Sequence, residues 1–148
     1  MNVLISACLI GTTCRYDGKS APLSGGILDK LKNTCHLIPV CPEIFGGLPT
    51  PRLPAEHQNG RVLRRDGADI TDAYLRGARE VLRLARFFDC HYAILKERSP
   101  SCGKGRIYDG TFSGVLTSGD GITASLLKEN GIIVFGESDI PTFLSAMM

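Results

Sequence analysis

Four short stretches hold the residues of this chain whose types and spacing can do chemistry: SAC ending at Cys8, CRYDG at Cys14–Gly18, VCPE at Val40–Glu43 and RSPSCG at Arg98–Gly103. Cys8, Cys41 and Cys102 each follow an apolar, strand-like run by only a few residues. If those runs share one parallel sheet, three soft ligands far apart in sequence meet at a single edge. Sulfur suits soft or borderline metals and iron–sulfur clusters, and a reactive thiolate suits covalent chemistry. Three thiolates would leave one iron of a four-iron cluster without a protein ligand, open to a soft substrate atom. Four would suit electron transfer or structure. Cys14 is the pivot between these readings, either as a fourth ligand or as a buried thiol that holds the CRYDG loop; the second role is preferred.

Glu43 stands two residues beyond Cys41, where a carboxylate can move protons in a low-dielectric pocket or simply cap the turn after Pro42. Ser99 and Ser101 bracket Pro100 just before Cys102. One hydroxyl can orient substrate or water, and either can satisfy loop amides. Ser99 is the functional choice, because its spacing from Cys102 leaves room to face the pocket. Arg15, Tyr16 and Asp17, and likewise Arg52, Glu56 and His57, either close a cavity or decorate loops. Lys96, Glu97 and Arg98 either fix the RSPSCG loop or form a solvated strand end. His57 is not assigned as a metal ligand.

The elements that must position these residues follow from periodicity and punctuation. Val3–Ile5, Leu37–Val40, Tyr92–Leu95 and Ile132–Phe135 read as core strands. Ser24–Lys32, Asp72–Phe88 and Thr123–Glu129 read as helices, Thr71 being a plausible cap for the second. The prolines and glycines of Ile44–Gln58 argue for a shaped loop, and Arg61–Leu63 for a short edge strand. Arg76, Arg79, Arg83 and Arg86 recur along one helix face, which is read as solvated rather than as an RNA surface. Strands alternating with helices imply a compact three-layer, Rossmann-like α/β domain with a mainly parallel sheet over residues 1–137. The segment 138–148 follows as a tail in which Ile140, Phe143 and Leu144 cover an apolar patch or engage a partner. In such sheets ligands lie beyond the carboxyl ends of the strands.

Composition narrows the classes. The 148 residues suit one domain that needs no covalent staple, and 43% apolar with 22% charged residues is ordinary for a globular chain. A net charge of +2 disfavours an extended nucleic-acid or acidic-membrane surface. MNVLISACLIG lacks a basic leader and reads as a first core strand, and no stretch is apolar enough to cross a bilayer. Six cysteines without a secretory signal suit free thiols in the reducing cytoplasm. Cys35 and Cys90 read as buried thiols, and the absence of a tight C-x₂-C pair disfavours a short-range zinc motif.

The ordered set SAC…G…CRYDG, PVCPE…GGLPTPR, RV…DG.D.T, ILKERSPSCG and IYDGTFSG…GDG.TA resembles the thiouracil desulfurase family, from Val3 to Phe135. That resemblance implies a compact α/β domain and an oxygen-sensitive [4Fe–4S] cluster on Cys8, Cys41 and Cys102, one that aerobic preparation can remove. It also implies catalytic roles for Glu43 and Ser99, and non-redox desulfuration of a small thiolated pyrimidine such as 2-thiouracil to uracil and sulfide. The cluster would act as a Lewis acid toward substrate sulfur, Glu43 would activate water, and Ser99 would position substrate. Three other readings stay open from the residues alone: a structural or redox cluster protein, a cysteine hydrolase or sulfur-transfer enzyme without a cluster, and a thiolated-base binding module. RNA as a substrate or partner and the oligomeric state are not decided by these residues.

Overall fold

The computed structural model describes residues 1–147. Four parallel strands form the central sheet: β1 (Asn2–Ser6), β2 (His36–Val40), β5 (Tyr92–Leu95) and β8 (Ile133–Gly136), in the order β2-β1-β5-β8. Alternation along these strands sends Leu4, Ala93 and Leu95 to one face and Val3, Ile5 and Ile94 to the other. Helices α3 (Thr71–Phe87) and α4 (Ile122–Glu129) cover the first face, through Val81, Leu82, Ala85, Ala124 and Leu127. Helices α1 (Gly25–Thr34) and α5 (Ile140–Met147) cover the second, through Leu31, Ile140 and Phe143. The three-layer α/β architecture is therefore present, with both faces of a parallel sheet buried as such sheets require.

Several elements differ in detail from the sequence reading. β2 is an edge strand with Leu37 and Ile38 only half-buried and Pro39 exposed, and an edge is where a residue lacking a backbone donor is tolerated. The expected loop Ile44–Gln58 contains a strand, β3 (Ala55–Gln58), paired antiparallel with β4 (Arg61–Arg64) around an Asn59–Gly60 turn. Its start is preceded by a helical turn, α2 (Pro42–Phe45), with Pro42 at the first helical position, where its missing N–H costs nothing. Thr71 opens α3 rather than capping it. Asp69 takes that task, its carboxylate accepting from the Thr71 amide at 3.0 Å, while the Thr71 hydroxyl accepts from the Val62 amide at 2.9 Å. The glycine-rich stretch after Cys102 carries a short pair, β6 (Arg106–Tyr108) with β7 (Leu116–Ser118). Phe143 of α5 is wholly buried and stands edge-on to Phe135 at 5.3 Å, so the chain's last helix packs on the sheet. The four arginines of α3 are exposed.

β1 hydrogen-bonds β2 on one side and β5 on the other, so the chain reverses direction across the sheet after β2. Such a reversal opens a crevice outside the carboxyl ends of the two strands that flank it.

Candidate active site

Every chemistry-bearing motif of the sequence lies at that crevice. Cys8 follows β1 within a short 3-10 helix (Ala7–Ile10), Cys41 follows β2 directly, and Cys102 lies in the loop that leaves β5. All six cysteines are free. The Cys8 thiol is pushed up to about 11, by burial first and then by the charge on Cys41 against the opposing Lys96. Burial likewise pushes Cys102 up to about 12, opposed by hydrogen bonds from Ser6 and Ser101. Cys41 Sγ lies 3.9 Å from the Cys14 carbonyl oxygen, and its thiol goes the other way, down to about 7, chiefly through the neighbouring Cys14 side chain. Cys14 is correspondingly raised.

Glu43 enters from α2, and its place is set by backbone contact. A Cβ on Gly77 would lie 1.8 Å from the Pro42 carbonyl oxygen, and one on Gly46 would lie 2.1 Å from that of Ala73. Only glycines allow α2 to rest on the first turns of α3 so closely. Three donors then converge on the carboxylate. The Tyr74 hydroxyl donates to Oε1 at 2.7 Å and Arg52 Nε donates to the same oxygen at 3.3 Å. Ser101 Oγ reaches Oε2 at 3.1 Å and lies 3.6 Å from Cys102 Sγ. Arg52, with only 6% of its side chain exposed, also donates to the carbonyls of Cys14 at 2.8 Å and Pro49 at 3.1 Å. One guanidinium thus ties the CRYDG loop, the proline-rich loop and Glu43 together.

The RSPSCG loop is shaped by its own serine. Ser99 Oγ accepts from the amides of Ser101 at 3.2 Å and Cys102 at 3.1 Å, and lies 3.0 Å from Ser101 Oγ. Ser99 therefore shapes the turn that presents Cys102, while Ser101, buried, is the hydroxyl that touches Glu43. His57 Nε2 meets the Pro100 carbonyl at 2.7 Å, and Glu56 Oε1 accepts from the Gly110 and Phe112 amides at 3.0 and 3.1 Å. These two residues of β3 buttress the loops around the site. Lys96 pairs with Glu137 at 2.7 Å and its amide donates to Ser6 Oγ at 2.8 Å, which anchors the end of β5. Glu97 is spent on the Ser138 amide and hydroxyl, and Arg15 on Asp17 at 3.3 Å. Tyr16 remains exposed at the rim.

Ser6 and Tyr74 were missed by sequence reasoning. Ser6 is the first residue of the SAC motif, and its place at the end of β1, two residues before Cys8, was the available signal. Tyr74 is a helix residue whose hydroxyl has no sequence signature. Two other clefts hold no cysteine thiol. One, of about 230 Å³, is lined by Met1, Asn2, Phe88, Asp89, His91 and Tyr92, at the opposite end of β1. The other, of about 590 Å³, surrounds the Arg61–Asp69 ion pair.

Three thiols at one sheet edge are the soft donor set that an iron–sulfur cluster takes. Among the described residues no three His, Cys, Asp or Glu side chains converge tightly enough for one metal ion. The thiols are nonetheless near enough for the charge on Cys41 to act on both Cys8 and Cys102. Cys8 and Cys102, buried and holding their protons tightly, are thiols that a soft cation, rather than water, would deprotonate.

A model of the family described as 2-thiouracil desulfurase matches residues 3–139. The chain belongs to the 2-thiouracil desulfurase family. It is similar to a solved structure described as the [4Fe–4S]-dependent thiouracil desulfidase TudS, with 45% identity and a TM-score of 0.93 over 98% of this chain and 96% of that one. It is also 40% identical to YbbK of Bacillus subtilis strain 168, a protein described as uncharacterized, over 96% of this chain and 99% of YbbK. Among the described residues no helix is long and apolar enough to cross a membrane.

Proposed function

We propose that this chain hydrolyses the carbon–sulfur bond of a small thiolated pyrimidine, with 2-thiouracil as the model substrate and uracil and sulfide as products. The observation that carries this reading is the meeting of three thiols, on Cys8, Cys41 and Cys102, with a carboxylate, Glu43, at one sheet edge. Those three cysteines would hold a [4Fe–4S] cluster, and the similarity to TudS supports that assignment. When bound on three thiolates, the cluster supplies an iron without a protein ligand, a Lewis acid suited to a thiocarbonyl sulfur.

The chain's own residues do the rest. Glu43 takes a proton from water as the water oxygen bonds to the thiocarbonyl carbon. The carbon–sulfur bond then breaks and sulfur leaves as sulfide, so one water is consumed and no electron is transferred. Ser99 keeps the loop in register through its oxygen, and its hydroxyl hydrogen is available to Ser101 or to a substrate atom. We assign it a positioning and stabilising role beside Glu43. Buried walls on the site, Cys8, Cys102 and Ser101 among them, keep stray water from the reacting carbon. Six free thiols and an oxygen-sensitive cofactor suit a reducing compartment such as the cytoplasm.

A second reading has one observation in its favour. Cys41 Sγ lies 3.9 Å from the Cys14 carbonyl, which sets the two cysteines side by side, and a four-thiolate cluster without an open iron would make this a structural or redox protein. Sulfide release by anaerobically reconstituted protein separates the two. With matched iron content, Glu43→Gln lowers sulfide release from 2-thiouracil by about 10²–10⁴-fold, the usual contribution of a positioned acid–base group. Full turnover in that variant removes Glu43 from the mechanism. Retention of the cluster and of turnover in Cys14→Ser excludes the four-thiolate reading.

A further inference from the structure

We infer that Tyr74 is a positioning residue for Glu43, saturating one carboxylate oxygen so that the other faces the reaction. This rests on the desulfuration reading above. Tyr74 is 1% exposed, and its ring packs in a small apolar cluster with Ala55 and Val62, flanked by Leu48, Ile70 and Ile122. A phenylalanine would fill that space as well. Among the described residues its hydroxyl has a single partner, Oε1 of Glu43 at 2.7 Å. A hydroxyl taken out of water must be hydrogen-bonded to avoid a desolvation cost. The bond to Glu43 meets that need and at the same time fixes the carboxylate.

Three independent restraints fix where that hydroxyl lies. Asp69 holds the first turn of α3 by accepting from the Thr71 amide, and Thr71 in turn bonds β4 at Val62. Gly77 and Gly46 let α2 sit on α3 at a distance no side chain would permit. Arg52 then approaches the same Oε1 from the proline-rich loop at 3.3 Å. With Tyr74 and Arg52 both on Oε1, rotation of the carboxylate would break two bonds. Oε2 is left toward Ser101 and the Cys102 loop, the side on which substrate must approach. Oε2 is thus the oxygen that exchanges a proton with water, and Tyr74 acts through it without touching substrate.

The test is a double-substitution cycle on reconstituted protein: wild type, Tyr74→Phe, Glu43→Gln and the pair, each with iron and sulfide content, kcat, KM and thermal midpoint measured. Tyr74→Phe keeps its cluster content, loses roughly 10-fold in kcat and keeps KM within about twofold, the pattern of a misaligned catalytic group. Its midpoint shift shrinks when Glu43 is already Gln, because the hydroxyl then has lost its charged partner. Full kcat in Tyr74→Phe overturns the proposal. So does a loss of kcat that tracks loss of iron, since the hydroxyl would then serve the fold alone. If wild type releases no sulfide, the desulfuration reading fails by itself, and the midpoints still decide the contact: additive shifts refute it.

Discussion

Glu43 shows how much of this site a single side chain organises. Its Oε1 takes Tyr74 and Arg52, its Oε2 takes Ser101, and the three donors come from a helix, a proline-rich loop and the cysteine loop. Around it the thiols differ sharply in proton affinity. Cys8 and Cys102 lie well above the usual thiol range because they are buried, while the Cys14 side chain beside Cys41 brings that thiol down to about 7. A thiol with a lowered value reacts as thiolate at pH 8, and Cys41 is also the least buried of the four. In reduced, metal-free protein at pH 8, iodoacetamide therefore modifies Cys41 before Cys8 or Cys102, read by peptide mass spectrometry over time. Reconstitution with iron and sulfide beforehand protects Cys41 if it is a ligand. The convergence of Cys8, Cys41, Cys102 and Glu43 at one sheet edge was legible in the sequence because each stands a short distance past an apolar run. The division of labour between Ser99 and Ser101 was not legible, since spacing does not tell which hydroxyl turns back to the loop amides.

At the scale of elements, the site depends on helix α2 lying flat on α3. The two glycines at that crossing carry no chemistry, yet they set the position of Glu43 to within a side chain's width. Gly77→Ala places a methyl group against the Pro42 carbonyl and pushes α2 outward. Overpacking of this kind costs about 1–3 kcal/mol. The expected result is lower stability in chemical denaturation together with a fall in kcat larger than any change in KM, because Glu43 moves with α2. Sequence periodicity gave the long helix α3 but not Tyr74's role in it, since an aromatic residue on a buried stripe looks the same whether or not its hydroxyl has a partner. The β3–β4 hairpin was hidden for a related reason. Ala55–Gln58 reads AEHQ, poor strand residues on propensity alone, and tertiary contacts make the strand. His57 and Glu56 brace the Pro100 and Gly110 backbones there.

For the whole molecule, topology does the assembling. Reversal of strand order between β2 and β5 places the ends of β1, β2 and β5 side by side, and three cysteines separated by 33 and 61 residues of sequence arrive together (41 less 8, and 102 less 41). The four strands and the helices that cover them were readable, since buried parallel strands are short apolar runs between helical patterns. The final helix was harder to read: Ile140, Phe143 and Leu144 have helical spacing, but too few turns remain for periodicity to speak. Packing of Phe143 against Phe135 and Tyr92 is what orders it. Each of the three cysteines is thus delivered by a different strand of the sheet.

The most direct test of hydrolytic desulfuration is to incubate anaerobically reconstituted protein with 2-thiouracil in water enriched in oxygen-18. Sulfide and uracil should form in equal amounts, with the heavy oxygen in the uracil, and both should vanish in Cys8→Ser, Cys41→Ser and Cys102→Ser variants that cannot load the cluster. Unlabelled uracil, or a fully loaded cluster that releases no sulfide, would contradict the account.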